Sequence, residues 1–293
     1  MNEIVSICIC TFRRPALFEA LTSLGDLKGL EDYQIEVVVA DNDEQDLMRQ
    51  EVINFAEGFR FQIHYIHAPA RNISVARNAA LAAANGLWAA FIDDDEVADP
   101  LWLSTLLKHR HGNVAIVGPC IARYSSSFPG WIKKCDFHSN RIDKDPVNGY
   151  TSNVLLDIGF LRKKVIAFRT ELGQTGGEDT IFFREIHRAR GKISYCPDAV
   201  VYEPVVPSRA NMNWVRRRKF RAGQIHGLMC REFKPEAFRW LAVTSGSKAA
   251  LSFLASILFI PGSVRSRLWH ARGILHLGAL IYWLRPKILK EYG

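Results

Sequence analysis

Trp88-Ala89-Ala90-Phe91-Ile92-Asp93-Asp94-Asp95-Glu96 is an apolar run that passes without interruption into four acids. Five apolar residues with no polar alternation fit a strand covered on both faces, as in parallel sheets flanked by helices. Ligands of such sheets bind beyond the carboxyl ends of the strands, which is where these carboxylates stand. Side chains alternate along a strand, so the sequence predicts Asp93 and Asp95 on one side and Asp94 on the other. Two like charges so close repel unless a cation lies between them. Mn2+ or Mg2+ suits that place, because hard divalent ions take one or two carboxylates and fill their shell with water and substrate phosphates. A solvated acidic turn is the plainer alternative, yet four consecutive acids directly behind a buried strand are unusual for one.

On both sides of this segment strand-like and helical patterns alternate. Residues 5–10, 35–40, 61–66, 88–92 and 114–117 read as strands, and residues 16–24, 46–58, 74–85 and 100–110 as helices. Strict alternation implies an α/β fold whose mostly parallel sheet is sandwiched by helices. Boundary residues agree: Pro15 suits a first helical turn, Ser74 an N-cap and Asn85-Gly86 a helix end. Two further strand ends carry polar residues. Residues 5–10 lead into Thr11, Phe12 and Arg13, and residues 35–40 into Asp41 and Asn42. A hydroxyl, an aromatic ring, a guanidinium and a carboxylate at neighbouring strand ends describe a nucleotide pocket, although each alone is an ordinary turn residue. Arg77 falls in the first turn of the helix at 74–85, where the helix dipole disfavours a cation unless an anion compensates it. A phosphate would serve, as would a surface carboxylate.

From residue 120 to 150 the periodicity fails, and an irregular loop with aromatic anchors, among them Trp131, is expected. Beyond it come strands near 153–156, 193–195 and 199–202 and a helix at 178–190. That helix opens with Gly176-Gly177-Glu178-Asp179. Carboxylates at a helix amino end are favoured by the dipole, so a structural cap is one reading and a general base is the other. We take Asp179 as the base, with Glu178 and Trp131 as acceptor contacts. Arg217, Arg218 and Arg221 lie in a basic run at helical spacing and can stabilise an anionic leaving group, although a membrane-facing or merely solvated face accounts for them too.

The formal charge of +8 is uneven, with acids clustered between residues 41 and 99 and a basic last third. We divide the chain into a nucleotide-binding and catalytic part at 1–209 and a helical part at 210–293. In the latter, residues 249–260 and 273–284 are apolar stretches shorter than the roughly 20 residues a span requires. They read as helices lying on a membrane surface, with a packed helical subdomain as the alternative. No targeting signal follows Met1, which predicts a chain in the cytoplasm or peripheral to the cytoplasmic face of the inner membrane. Six scattered cysteines lack zinc-site spacing and read as reduced thiols. Other classes fit less well, among them a nicotinamide dehydrogenase, whose dinucleotide fingerprint is lacking. A nucleotidyltransferase would carry a glycine-rich loop after the first strand, where none is present. A nucleic-acid-binding module would use the arginines but leaves the acidic strand end unexplained, and no nucleic acid partner is expected.

Taken together, residues 5–15, Val39-Ala40-Asp41-Asn42, Ala76-Arg77-Asn78, Asp93-Asp94-Asp95 and Gly177-Glu178-Asp179 resemble glycosyltransferase family 2, inverting enzymes of the GT-A fold. The likeness is strongest to bacterial exopolysaccharide transferases of the succinoglycan type and covers roughly residues 3–225. The resemblance implies that Thr11, Arg13 and Asp41 contact uridine, that Asp93 and Asp94 meet ribose and phosphate, and that Asp95 binds the metal. It also implies a UDP-sugar donor, with glucose as the sugar, and Asp179 as base in one in-line displacement. The basic tail adds a polyprenyl-diphosphate-linked oligosaccharide as acceptor, at the inner membrane surface. Many relatives carry a histidine where Glu203-Pro204 stands here.

Overall fold

The computed structural model describes residues 2–142 and 146–290. In its first part, strand β1 (Glu3–Thr11), helix α1 (Leu17–Gly25), β2 (Tyr33–Asp41), α2 (Arg49–Ala56), β3 (Gln62–His67), α3 (Ile73–Ala83) and β4 (Trp88–Ile92) alternate as expected. A short β5 (Val97–Ala98), α4 (Trp102–Lys108), β6 (Ala115–Val117), β7 (Cys120–Arg123) and α5 (Gly130–Cys135) follow. Next come β8 (Asn153–Asp157), α6 (Ile158–Lys164), α7 (Glu178–Arg188), β9 (Ile193–Tyr195) and β10 (Val201–Pro204). The chain finishes in α8 (Met212–Phe233), α9 (Pro235–Arg239), α10 (Leu241–Leu258) and α11 (Val264–Leu284).

Seven strands form the main sheet in the order β3-β2-β1-β4-β8-β6-β9. Only β8 runs against its neighbours, so the sheet is mostly parallel. The strands carry apolar side chains to both faces. Val5, Ile7 and Ile9 pack with Leu17, Leu21, Trp102 and Leu106 on one side. Cys8, Ala89 and Phe91 pack with Ala76, Ala80, Phe182 and Ile186 on the other. Register then decides which strand ends meet. Thr11 lies level with Asp41, and Cys8 with Phe91, so the acids after Ile92 emerge beside Cys10 and Thr11.

A second sheet, β5-β10-β7, lies within and next to the stretch expected to be an irregular loop. Of its strands β10 corresponds to the one expected near 199–202, two residues further on, whereas β5 and β7, of two and four residues, are too short for a periodic signal. Asn153 joins the two sheets: it accepts the Trp102 indole N–H at 2.8 Å and donates to the carbonyls of Pro119 (2.9 Å) and Ala199 (2.7 Å). The cap of α3 is Asn72 rather than Ser74, since the Asn72 side chain accepts the N–H groups of Ser74 and Val75. All six cysteines are free thiols, five of them buried.

The expected apolar stretches 249–260 and 273–284 are the ends of longer helices. Helix α10 begins at Leu241 because Thr244, Ser245, Ser247 and Lys248 continue the same helix with polar residues. Among the described residues α10 alone is long and apolar enough to cross a membrane by length and composition. Helix α11 packs against both α8 and α10.

Candidate active site

The acidic segment does not continue the strand. After Ile92 the chain turns, with the Glu96 N–H donating to the Asp93 carbonyl at 3.2 Å and the Asp93 N–H donating to the Glu96 carboxyl at 3.1 Å. The extended strand therefore ends at Ile92, and Asp94 and Asp95 share one partner. The Arg14 guanidinium donates to Asp94 at 3.0 Å and to Asp95 at 2.6 Å, and Thr11 Oγ donates to Asp94 at 2.8 Å. Arg209 approaches Asp95 at 3.4 Å and also pairs with Glu203. Asp93 faces Arg77 at 3.8 Å.

Exclusion of water raises Asp93, Asp94, Glu96 and Glu203 above the ordinary carboxylate range. Burial pushes Asp94 up to about 7, against the pull of Arg14. Asp93 is raised by burial and held down by Arg77, with the charge of Asp95 adding repulsion. Glu96 is displaced well upward, first by burial and then by the charge of Asp93. Glu203, on β10, is raised by burial and by the charge of Asp95.

Among the described residues no three metal-ligating side chains form a cage. Asp93 and Asp95 nevertheless leave 43% and 22% of their side chains exposed, so both present hard oxygen donors to solvent beside the cations Arg77, Arg14 and Arg209. That donor set fits a divalent cation completing its shell with water and phosphate oxygens.

At the neighbouring strand ends the predicted nucleotide contacts separate into two groups. Thr11, Asp41 and Asn42 are buried. Asp41 accepts the Tyr65 hydroxyl at 2.7 Å and the Asp43 N–H at 2.9 Å, and Asn42 accepts the Asn72 N–H at 2.8 Å. Phe12 and Arg13 face outward. Arg13, in the left-handed region at φ 53°, holds Asp43 with two hydrogen bonds of 2.5 and 2.9 Å. The guanidinium carbons of Arg13 and Arg71 stand 5.6 and 5.9 Å from the Phe12 ring centroid, making an exposed aromatic platform between two cations.

Gly176 and Gly177 have φ of +81° and +94°, a conformation that L side chains rarely adopt, and they aim the first turn of α7. Glu178 is buried there. Its Oε1 pairs with Arg77 at 2.5 Å, and its Oε2 is buried without a hydrogen-bond partner. Arg77 lies in the second turn of α3, and the anion it requires is supplied by the protein itself, through Glu178 and Asp93. Asp179 accepts the Thr180 N–H at 2.6 Å. Burial, then the charge of Glu178, raises its pKa to about 7, with Arg77 opposing.

Helix α8 brings the half-buried Arg218 to the Asn140 side chain at 3.2 Å, over the Trp214 ring at 5.0 Å. Trp214 in turn stacks on buried His138 with centroids 4.5 Å apart. Arg221 is half-buried and engaged with other groups, whereas Arg217 is exposed. Trp131 stands on α5 among Cys135, Phe137, Val215 and Ala271, with the Arg267 guanidinium 4.2 Å from its ring centroid, so it braces α8 and α11. Sequence reading assigned no role to Arg14, Tyr65, Arg71, Arg209 or His138. Arg14 had a signal, its place beside Arg13 at a strand end; the others contact the site only through the fold.

The glycosyl transferase family 2 profile matches residues 6–167, from β1 through the acidic turn to the segment beyond α6. The chain is 37% identical over 300 residues to the succinoglycan biosynthesis protein ExoM of Rhizobium meliloti (strain 1021), covering 99% of this chain and 96% of that protein. Among solved structures, the mannosyltransferase PcManGT from Pyrobaculum calidifontis in complex with GDP-Man and Mn2+ superposes with a TM-score of 0.67 at 19% identity. That match covers 98% of this chain and 88% of the mannosyltransferase. S. aureus TarS 1-349 in complex with UDP-GlcNAc gives a TM-score of 0.55 at 15% identity, covering 98% and 93% of the two chains. At such identities the structural likeness speaks for the fold, a GT-A-like sheet followed by helices. Sequence and profile carry the assignment further: the chain belongs to glycosyltransferase family 2, whose members transfer a sugar from a nucleotide sugar.

Proposed function

We propose that the protein is an inverting transferase that moves a sugar, with glucose as the specific assignment, from a UDP-sugar to a polyprenyl-diphosphate-linked oligosaccharide at the cytoplasmic face of the inner membrane. The observation that carries this reading is the ion-paired chain Asp93–Arg77–Glu178, which ties the acidic strand end to the residue next to Asp179. The carboxylates suited to the donor and the carboxylate suited to the acceptor thereby belong to one electrostatic unit.

In this reading Phe12, Arg13 and Arg71 receive the base, while Thr11, Asp41 and Asn42 hold the strand ends that carry them. Asp93 and Asp95 would hold Mn2+ or Mg2+, which neutralises the donor diphosphate as its bond to the sugar breaks. Asp94 stays fixed between Thr11 and Arg14 and shapes the ribose side. Glu178 Oε2, buried and without a protein partner, is the oxygen suited to accept a hydrogen bond from the acceptor sugar. Asp179 removes the proton from the attacking hydroxyl. A pKa of about 7 matches that duty, because a base is most effective when its pKa lies near the working pH. Arg218, with Arg217 and Arg221 farther out on α8, supplies positive charge for the departing UDP. Trp131 contributes to acceptor binding through the α8 and α11 wall that it braces. The mannosyltransferase bound to GDP-Man and Mn2+ and the TarS complexes with UDP and UDP-GlcNAc support the donor class and the cation. Likeness to the succinoglycan biosynthesis protein supports the acceptor class.

Asp179→Asn tests the role of the base. Calorimetric UDP binding is expected to persist while transfer falls by about 10²–10⁴-fold. Turnover close to wild type would remove Asp179 from the mechanism.

A further inference from the structure

Helix α10 is packed inside out. Apart from Leu241 at its start and the half-buried Phe253 against Gly273 and His270, the side chains it turns toward the protein are small and partly polar, namely Ser245, Ala249, Ser252 and Ser256. The large aliphatic ones point away: Val243, Leu251 and Leu254 are exposed, and Ile257, Leu258 and Ile260 expose 75–78% of their surface. In a helix packed on a water-soluble core the order is reversed. Small residues facing the protein and large apolar ones facing out is the arrangement used where the outer medium is hydrocarbon. The turn after α10 is built rather than loose. Ser266 Oγ donates to the Ser256 carbonyl at 2.8 Å, and Arg267 Nε donates to the Gly262 carbonyl at 2.8 Å.

Charge chooses the occupant of this face. From Arg239 to Lys290 every charged side chain is cationic: Arg239, Lys248, Arg265, Arg267, Arg272, Arg285, Lys287 and Lys290. Two copies meeting through this region would bring like charges together. A nucleic acid would meet an aliphatic surface that offers few rings for stacking. An anionic lipid layer satisfies both features, with aliphatic side chains among the acyl chains and arginines among the headgroups.

We propose that α10 and its following turn are a ridge that docks the enzyme on an anionic lipid monolayer, with the helix lying in the interface. We place α10 in the interface rather than across the layer because it is covered along one side by α11, which carries Arg265, Arg267 and Arg272. The proposal deepens only the membrane part of the function proposed above and does not depend on donor or acceptor identity. It concerns α10 and its turn; α11 packs against α8 and α10 and itself exposes Leu268, Trp283 and Leu284.

Flotation of the full chain with vesicles of phosphatidylglycerol in phosphatidylcholine, against phosphatidylcholine alone, tests it. Wild type is expected to float with the anionic vesicles and to be partly released by salt. The double variant Leu254→Asp and Ile257→Asp, at exposed positions outside the reaction machinery, is expected to lose at least tenfold in binding. Its melting temperature and Mn2+-dependent UDP-sugar hydrolysis should match wild type. Wild type that stays unbound, or a variant that floats equally well, overturns the proposal. So does a dimer that this variant dissociates, which would assign the face to a second copy. A chain that floats yet hydrolyses no UDP-sugar keeps the docking and overturns the proposed reaction instead.

Discussion

A carboxylate can accept a proton from a hydroxyl only while ionised, and Asp179, with its pKa raised to about 7 by burial and then by Glu178, is half-protonated near neutrality. Transfer is therefore expected to rise with pH through about 7, read as kcat/KM against pH. Below that midpoint Asp179 is mostly protonated and cannot accept the proton of the attacking hydroxyl. Glu178→Gln takes away the neighbouring negative charge, so the rise should move to lower pH; an unmoved midpoint would show that the two groups are not coupled. Arg77 is buried between Glu178 and Asp93. Arg77→Ala leaves carboxylates uncompensated and is expected to cost about 3–5 kcal/mol in urea denaturation, as breaking a buried pair from one side does. The carboxylates were legible in the sequence because each stands directly after a strand or at the opening of a helix. Their partners were not. Arg14, 80 residues from Asp94, and Arg209, 114 residues from Asp95, reach them only through sheet register and the turn after Ile92. The chain turns after Ile92, yet Asp93 and Asp95 remain part-exposed while Asp94 is buried, the alternation that the sequence predicts.

The long parallel strands and their covering helices were legible at the level of elements, because β-branched runs and helical periods each persist for a turn or more. What escaped had too little length to show a period: β5 and β7, and α5, six residues inside a serine-rich stretch. Helix α6 follows β8 with no intervening loop, started by Asp157 accepting the Phe160 N–H at 2.9 Å. Helix α7 depends on the two glycines ahead of it. At Gly177 a side chain meets both an unfavourable φ of +94° and the Ile225 side chain 3.0 Å from the new Cβ. Gly177→Ala is expected to lower stability by about 1–2 kcal/mol in thermal or urea denaturation. Transfer should fall further than the melting temperature alone explains, since the substitution displaces the turn that carries Asp179.

Over the whole molecule, charge and apolar surface are separated along the chain. The acids gather where β1, β2 and β4 end, and the cations and exposed aliphatic side chains gather in the helices after residue 210. Composition alone revealed this asymmetry, but not that α11 packs against both α8 and α10 while α10 leaves its large aliphatic side chains outward, because that depends on how the helices pack. The account as a whole stands on the acidic turn receiving a metal-bound diphosphate. Calorimetric titration of UDP into wild type and Asp95→Asn, each with and without Mn2+, measures that directly. Wild type is expected to bind UDP with Mn2+ and to lose most of its affinity without it, and Asp95→Asn should bind weakly in both conditions. Equal affinity with and without Mn2+ in wild type, or undiminished Mn2+-dependent binding by Asp95→Asn, would contradict the account.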